Sequence, residues 1–146
     1  MDKNQTTYRV IYGDTDQMGV VYYANYLRWF EKGRTEYLRE AGMPYSSIEQ
    51  RGICFPVIEV SGRYLRPAHF DDEILIETIL DSLSGTILKF NYKINHHSNG
   101  SLLTLGWTKH ACVNRQGQVT KIPTELVKLL KDSLSTKTSD FGGNTM

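Results

Sequence analysis

Two aspartates flank a threonine in Tyr12-Gly-Asp-Thr-Asp16-Gln-Met-Gly19-Val-Val-Tyr-Tyr23-Ala-Asn-Tyr26; a glycine follows, and then three tyrosines arrive within five residues. A carboxylate is costly to desolvate, so its place at the start of an aromatic, apolar segment calls for a reason. One reason is structural: Asp14 or Asp16 caps backbone N–H groups at the entry to a helix. One cap, however, needs one carboxylate. The other reason is chemical. A carboxylate beside a helix N-terminus and an apolar pocket can stay ionised through the helix dipole while facing a substrate. The free N–H groups of that first turn can polarise a carbonyl oxygen. A poised carboxylate and an oxyanion site are the parts needed to hydrolyse an activated acyl group, and these residues alone leave both reasons open.

Other chemistries find less support. There is no G-x-S-x-G, no P-loop and no G-x-G-x-x-G in the chain. Asp14-x-Asp16-x-Met18-Gly19 approaches a calcium loop, but Met18 holds its fifth position and Asn25 its twelfth, so no metal is expected. His96-His97 stands beside a turn with no third ligand in view, and His69 and His110 are single histidines in strand contexts, read as ordinary polar side chains. Cys54 and Cys112 show no C-x-x-C spacing and read as reduced thiols. With 17 basic against 16 acidic residues, no global field draws the chain to nucleic acid or an anionic membrane. The first ten residues lack the apolar core of a signal peptide, and no apolar run approaches the ~20 residues of a membrane span. The expected compartment is the cytoplasm.

The elements that must position the Asp-Thr-Asp segment follow from periodicity. Residues 6–12 read as a short strand ending at Gly13. From Tyr22 to Ala41 the period is helical, with Tyr23, Tyr26, Leu27, Phe30, Tyr37, Leu38 and Ala41 on one face and Gly42 and Pro44 closing the helix. Gly33, inside that helix, points to a close approach of helix to sheet. Residues 44–51 make a short irregular or helical connection. Strands are expected over Cys54–Arg66, Glu73–Leu83, Ile87–His96 and Leu102–Asn114, separated by Ser84-Gly85, Asn99-Gly100 and Gln116-Gly117, and short turns force antiparallel pairing. In the third, Leu88, Phe90, Tyr92, Ile94 and His96 point one way. Pro123 opens a last amphipathic helix carrying Leu126, Val127, Leu129, Leu130 and Leu134. The result is one α+β domain over residues 1–134 and a Ser/Thr/Gly-rich, disordered tail over 135–146, with the sheet wrapped around the long helix. Strands this long leave a sheet edge to protect, and pairing with a second copy would do so.

Tyr12-Gly-Asp-Thr-Asp16-x-x-Gly19-x-Val21-Tyr-x-x-x-Tyr26 closely resembles the signature of the hotdog-fold acyl-CoA thioesterases, the 4-hydroxybenzoyl-CoA thioesterase and YbgC-like family. The likeness continues through Tyr64-Leu-Arg-Pro67-Ala68-His-Phe-Asp-Asp72, the Asn-Gly hairpin, Gly117 and Ile122-Pro123. It implies a curved antiparallel sheet around one long central helix, assembled as a homodimer or homotetramer with its sites at the dimer interface. It also implies an acyl-CoA or acyl carrier protein substrate and no cofactor. By this resemblance Asp16 attacks the thioester carbonyl or activates a water that does, and the Tyr23 backbone N–H binds the thioester oxygen. Tyr12 and Asp14 would help to position Asp16, with the acyl group against Tyr23 and Tyr26. Many YbgC-like members carry a histidine where this chain has Tyr23; the benzoyl-type branch does not, so the difference bears on subclass and on any side-chain base at that position. A hotdog hydratase and a non-catalytic acyl-thioester adaptor are the competing readings.

Overall fold

The computed structural model of the chain describes residues 3–135. In chain order its elements are β1 (Asn4–Arg9), α1 (Asn25–Ala41), α2 (Tyr45–Gln50), β2 (Ile53–Cys54), β3 (Val57–Tyr64), β4 (Glu73–Ser84), β5 (Ile87–His96), β6 (Leu102–Ala111), β7 (Val113–Asn114) and α3 (Thr124–Ser135). Leu88, Phe90, Tyr92 and Ile94 of β5 are buried and Lys89, Asn91, Lys93 and Asn95 face outward, as a period of two requires. His96, the last of the inward set by pattern, is instead partly exposed at the strand end, its ring 3.4 Å from Asp72. β5 is the middle strand of a five-stranded antiparallel sheet of order β1-β4-β5-β6-β3. β2 and β7 form a separate ribbon, and α3 packs against β4.

α1 lies against the concave face of that sheet. Gly33 permits its depth: a Cβ there would overlap the side chains of Thr78 and Ile76 on β4. A second close approach occurs at Gly106 of β6, where a Cβ would overlap the Phe30 ring. Phe30 in turn stacks on Tyr92 at 4.4 Å between centroids. Gly42, at φ 106°, ends the helix: its N–H donates to Arg39 and Leu38, and the Met43 N–H reaches Leu38.

The differences from the sequence expectations have local causes. α1 begins at Asn25, not Tyr22, because the Tyr22 N–H donates to the Asp14 carbonyl at 2.9 Å and keeps the chain extended there. Its buried face contains Trp29, while Tyr23 and Leu27 are exposed. The runs 54–66 and 102–114 are each split, the first at Pro56, which has no N–H to give a ladder. β1 starts at Asn4 and stops at Arg9, beyond which the Val10 N–H donates to Asp72 and Tyr12–Asp14 form a 3-10 turn. α3 includes Ser135; the rest of the tail lies outside the described residues.

A chain of polar groups crosses the core beneath α1. His110 Nδ1 lies 3.0 Å from the Phe55 carbonyl, which can only accept, so this nitrogen carries the proton. Nε2 then accepts from the Thr108 hydroxyl at 2.8 Å, and Thr108 accepts from the Tyr92 hydroxyl. Burial drives the His110 pKa down to about 4; the bond to Phe55 opposes this and the charge of Arg34 adds to it. The imidazole is therefore neutral in the folded protein at neutral pH. Because the folded pKa lies below the unfolded value of about 6.5, the unfolded chain binds the extra proton first as pH falls. Urea unfolding should show stability present at pH 7 and lost as pH drops from 6.5 towards 4, by roughly 2–3 kcal/mol from this group. His110→Asn, which can still donate to Phe55, should be less stable at pH 7 and show a flatter dependence over that range.

Candidate active site

The Asp-Thr-Asp segment folds into a small ribbon sewn on both sides. Thr15 pairs with Val21, the Asp16 N–H donates to Val20 (2.9 Å), and the Tyr22 N–H donates to Asp14 (2.9 Å). On the other side Val21 donates to Ala68 (2.8 Å) and Val20 bridges to His69. At the tip the Gly19 N–H donates to the Asp16 carbonyl (3.1 Å), with Gly19 at φ 78°.

The two aspartates sit in opposite environments. Asp14 is 1% exposed; its Oδ2 accepts from the Tyr8 hydroxyl at 2.7 Å and the Ile11 N–H at 3.0 Å. Its Oδ1 faces Arg28 at 3.5 Å, and its carbonyl also accepts from the Asn25 side chain at 2.8 Å. Burial, then the bond to Asp14, pushes the Tyr8 hydroxyl above its ordinary value and keeps it a donor. Asp14 thus fastens β1, the ribbon and the start of α1. Asp16 is exposed; its Oδ1 accepts from the Met18 N–H at 2.8 Å, and its Oδ2 has no hydrogen-bond partner among the described residues. Both carboxylates therefore cap backbone N–H groups, but neither caps α1, whose N-cap is Ala24.

Tyr23 stands just before α1, and its backbone N–H has no hydrogen-bond partner among the described residues. Its ring lines a cleft of about 240 Å³ together with Val21, Tyr26, Tyr64, Arg66 and Pro67. Tyr26 forms the inner wall at 3% exposure, accepting from the Ala68 N–H at 3.3 Å and meeting Trp29 edge-on. Burial pushes its hydroxyl pKa up. Tyr12 is 73% exposed, its ring lying flat on Phe70 at 3.8 Å. The structure therefore brings Tyr23 and Tyr26 into one cleft and ties the Asp16 turn to that cleft through Val21. It places no hydrogen bond from the Asp16 carboxylate to Tyr12, Asp14 or Tyr23 among the described residues. Tyr64 and Pro67 were marked in the sequence only by the Tyr64-Leu-Arg-Pro67 resemblance, and the partnership of Tyr8 with Asp14 had no local signal.

An antiparallel sheet curved about one buried helix, with a cleft at the helix start, is the hotdog fold of the thioesterases. The chain belongs to the thioesterase-like superfamily, whose family model matches residues 10–130. It is 36% identical over 107 residues to the acyl-CoA thioesterase YbgC of Haemophilus influenzae, covering 73% of this chain and 77% of that protein. It is 37% identical over 91 residues to the acyl-CoA thioester hydrolase YbgC of Escherichia coli, 62% of this chain and 68% of that one. The crystal structure of the hypothetical protein TT1821 from Thermus thermophilus superposes with a TM-score of 0.84 at 35% identity, over 88% of this chain and 97% of that one.

The contrast between the two aspartates is measurable. Asp14→Ala strands the Tyr8 hydroxyl and the Ile11 N–H and should cost about 2–3 kcal/mol in urea unfolding. Asp16→Ala, at an exposed turn, should cost less than about 1 kcal/mol.

Proposed function

We propose that this chain hydrolyses acyl-CoA thioesters to a free acid and coenzyme A, with Asp16 as the reacting carboxylate. One observation carries the assignment of the site: Tyr23, whose backbone N–H is unspent, lines an aromatic cleft whose wall, through Val21, also holds the turn that presents Asp16. A thioester oxygen on that N–H places the acyl group against Tyr23 and Tyr26, and the amide stabilises negative charge as it develops on the oxygen. Asp16 then adds to the carbonyl carbon, giving an anhydride that water opens, or it takes a proton from a water that adds in its place. Both routes expel the thiolate of coenzyme A, which recovers a proton, and both yield the acid. Tyr12 and Asp14 support the turn, Asp14 through its buried contacts and Tyr12 through the Phe70 stack. Arg66 at the cleft supplies a cation for the nucleotide phosphates. The names of the relatives favour hydrolysis over the hydratase and adaptor readings, and coenzyme A over a carrier protein as the thiol.

The site is completed by a second copy. β3 is an edge strand, and Val57, Ile58, Val60 and Tyr64 are each more than 40% exposed along it. An apolar edge of this kind is protected when it pairs with another. Antiparallel pairing of two β3 strands continues the sheet and brings the partner's surface beside the cleft, since Tyr64 belongs to both.

Free-thiol release from short-chain, long-chain and aromatic acyl-CoAs tests the assignment. Asp16→Asn keeps an oxygen for the Met18 N–H and should fold normally while kcat falls by about 10²–10⁴. Tyr23→Phe should stay close to wild type, because the backbone carries the role. Unchanged turnover in Asp16→Asn would sink the mechanism. For the assembly, Val60→Asp should sediment as a monomer with its β-sheet circular dichroism intact and turnover lost; an unaltered oligomer would remove β3 from the interface.

A further inference from the structure

A second cavity, of about 230 Å³, lies between α1, α2 and the inner face of the sheet. Its polar wall includes Arg34, nine residues along α1 from its first residue Asn25, or about 14 Å at the helical rise. The cavity shares no lining residue with the Tyr23 cleft.

The donors and acceptors of this cavity are unbalanced. Arg34 is half-buried and has no carboxylate within salt-bridge distance among the described residues, although Glu31 stands three residues away on the exposed rim. It donates a hydrogen bond to the Tyr92 hydroxyl and its charge bears on His110 and Tyr45, so the guanidinium is directed inward with further N–H donors to spare. The Tyr45 hydroxyl oxygen accepts from the Phe55 N–H at 2.9 Å, and its own proton has no acceptor among the described residues. Both nitrogens of His110 are already used, by Phe55 and Thr108, so it forms wall and offers no second charge. The remaining surface is Leu38, Phe55, Leu88 and Phe90. One cation and one free O–H above an apolar floor call for a partner that only accepts, carried on a small hydrocarbon body.

We propose that this cavity binds a small free carboxylic acid, aryl or short-chain alkyl, with its carboxylate on Arg34 and Tyr45 and its hydrocarbon on Phe55, Leu88 and Phe90. The binding claim is independent of the reaction. Its meaning rests on the thioesterase reading, in which the acid released at the Tyr23 cleft is a ligand of this type. The same carboxylate could instead arrive as the far end of an acyl group seated in the cleft, and the two sources predict different competition.

Calorimetric titration with benzoate and hexanoate tests the site. Wild type and Asp16→Asn should bind alike, with benzoate preferred over the neutral benzamide. Arg34→Gln should weaken benzoate by about tenfold or more and erase its preference over benzamide, while Arg34→Lys retains much of the affinity and shows that the cavity still folds. Tyr45→Phe should weaken binding by a smaller factor. Saturating Asp16→Asn with a short acyl-CoA should leave benzoate affinity unchanged. The proposal fails if benzoate does not bind, if Arg34→Gln binds it as wild type does, if benzamide binds equally well, or if acyl-CoA displaces it. Since Asp16→Asn tests catalysis without touching this cavity, the two readings fail separately.

Discussion

α1 reaches its depth in the sheet because Gly33 has no side chain to hold the helix away from Ile76 and Thr78. A methyl group at that point would have to displace β4 or lift the helix, and a close-packed interior resists both. Much else follows from that separation. Phe30 comes down onto Gly106 and stacks on Tyr92, and Tyr26 comes within hydrogen-bond reach of the Ala68 N–H. The 3.3 Å bond at Ala68 ties the first turn of the helix to the same segment that holds Val21. The cleft at the helix start is thus a product of packing along the whole helix, and its inner wall is a core residue.

The motif that drew attention in the sequence divides its labour between two like residues. Asp14 spends its oxygens on Tyr8, Ile11 and Arg28 inside the protein, where an unpaired carboxylate would be costly. Asp16 spends one oxygen on its own turn and leaves the other open. A residue cannot easily serve as both anchor and reagent, because each bond that fixes it also satisfies it. The paired spacing separates the two tasks by one residue: Asp14 closes the 3-10 turn with its side chain buried, and Asp16 stands in the exposed turn that follows.

The architecture was legible because its signals are local and redundant: the alternation in β5, the helical stripe through Phe30, Tyr37 and Leu38, the Gly42 stop and the Asn99-Gly100 turn all agree. The close approach at Gly33 was also readable, since glycine inside an amphipathic helix needs a reason. What escaped depended on partners distant in sequence. The start of α1 shifted because the Tyr22 N–H is claimed by Asp14, and the burial of Trp29 depends on Tyr8 and Tyr26 packing against it. His110 looked like an ordinary strand histidine, and only the fold shows it fully bonded beneath α1. Tyr64 and Arg66 reach the cleft from β3 and the turn after it, a placement that no spacing near Asp16 encodes.

The ribbon that presents Asp16 has a consequence for how this chain can change in length. The hairpin tips at Asn99-Gly100 and Gln116-Gly117 are exposed and make few outside contacts, so extra residues there would be absorbed by the turn. Residues 14–22 have no such slack. Each edge of the 20–22 segment is occupied, one by residues 14–16 and the other by Ala68 and His69. One residue gained or lost within residues 20–22 would either rotate every side chain that follows it in the segment to the opposite face or break the stitching on one side. Point substitutions at the tip, at Gln17 or Met18, leave that stitching intact. The segment can therefore drift in composition while its residue count stays locked, which explains in mechanical terms why the motif reads as a spacing as much as a set of residues.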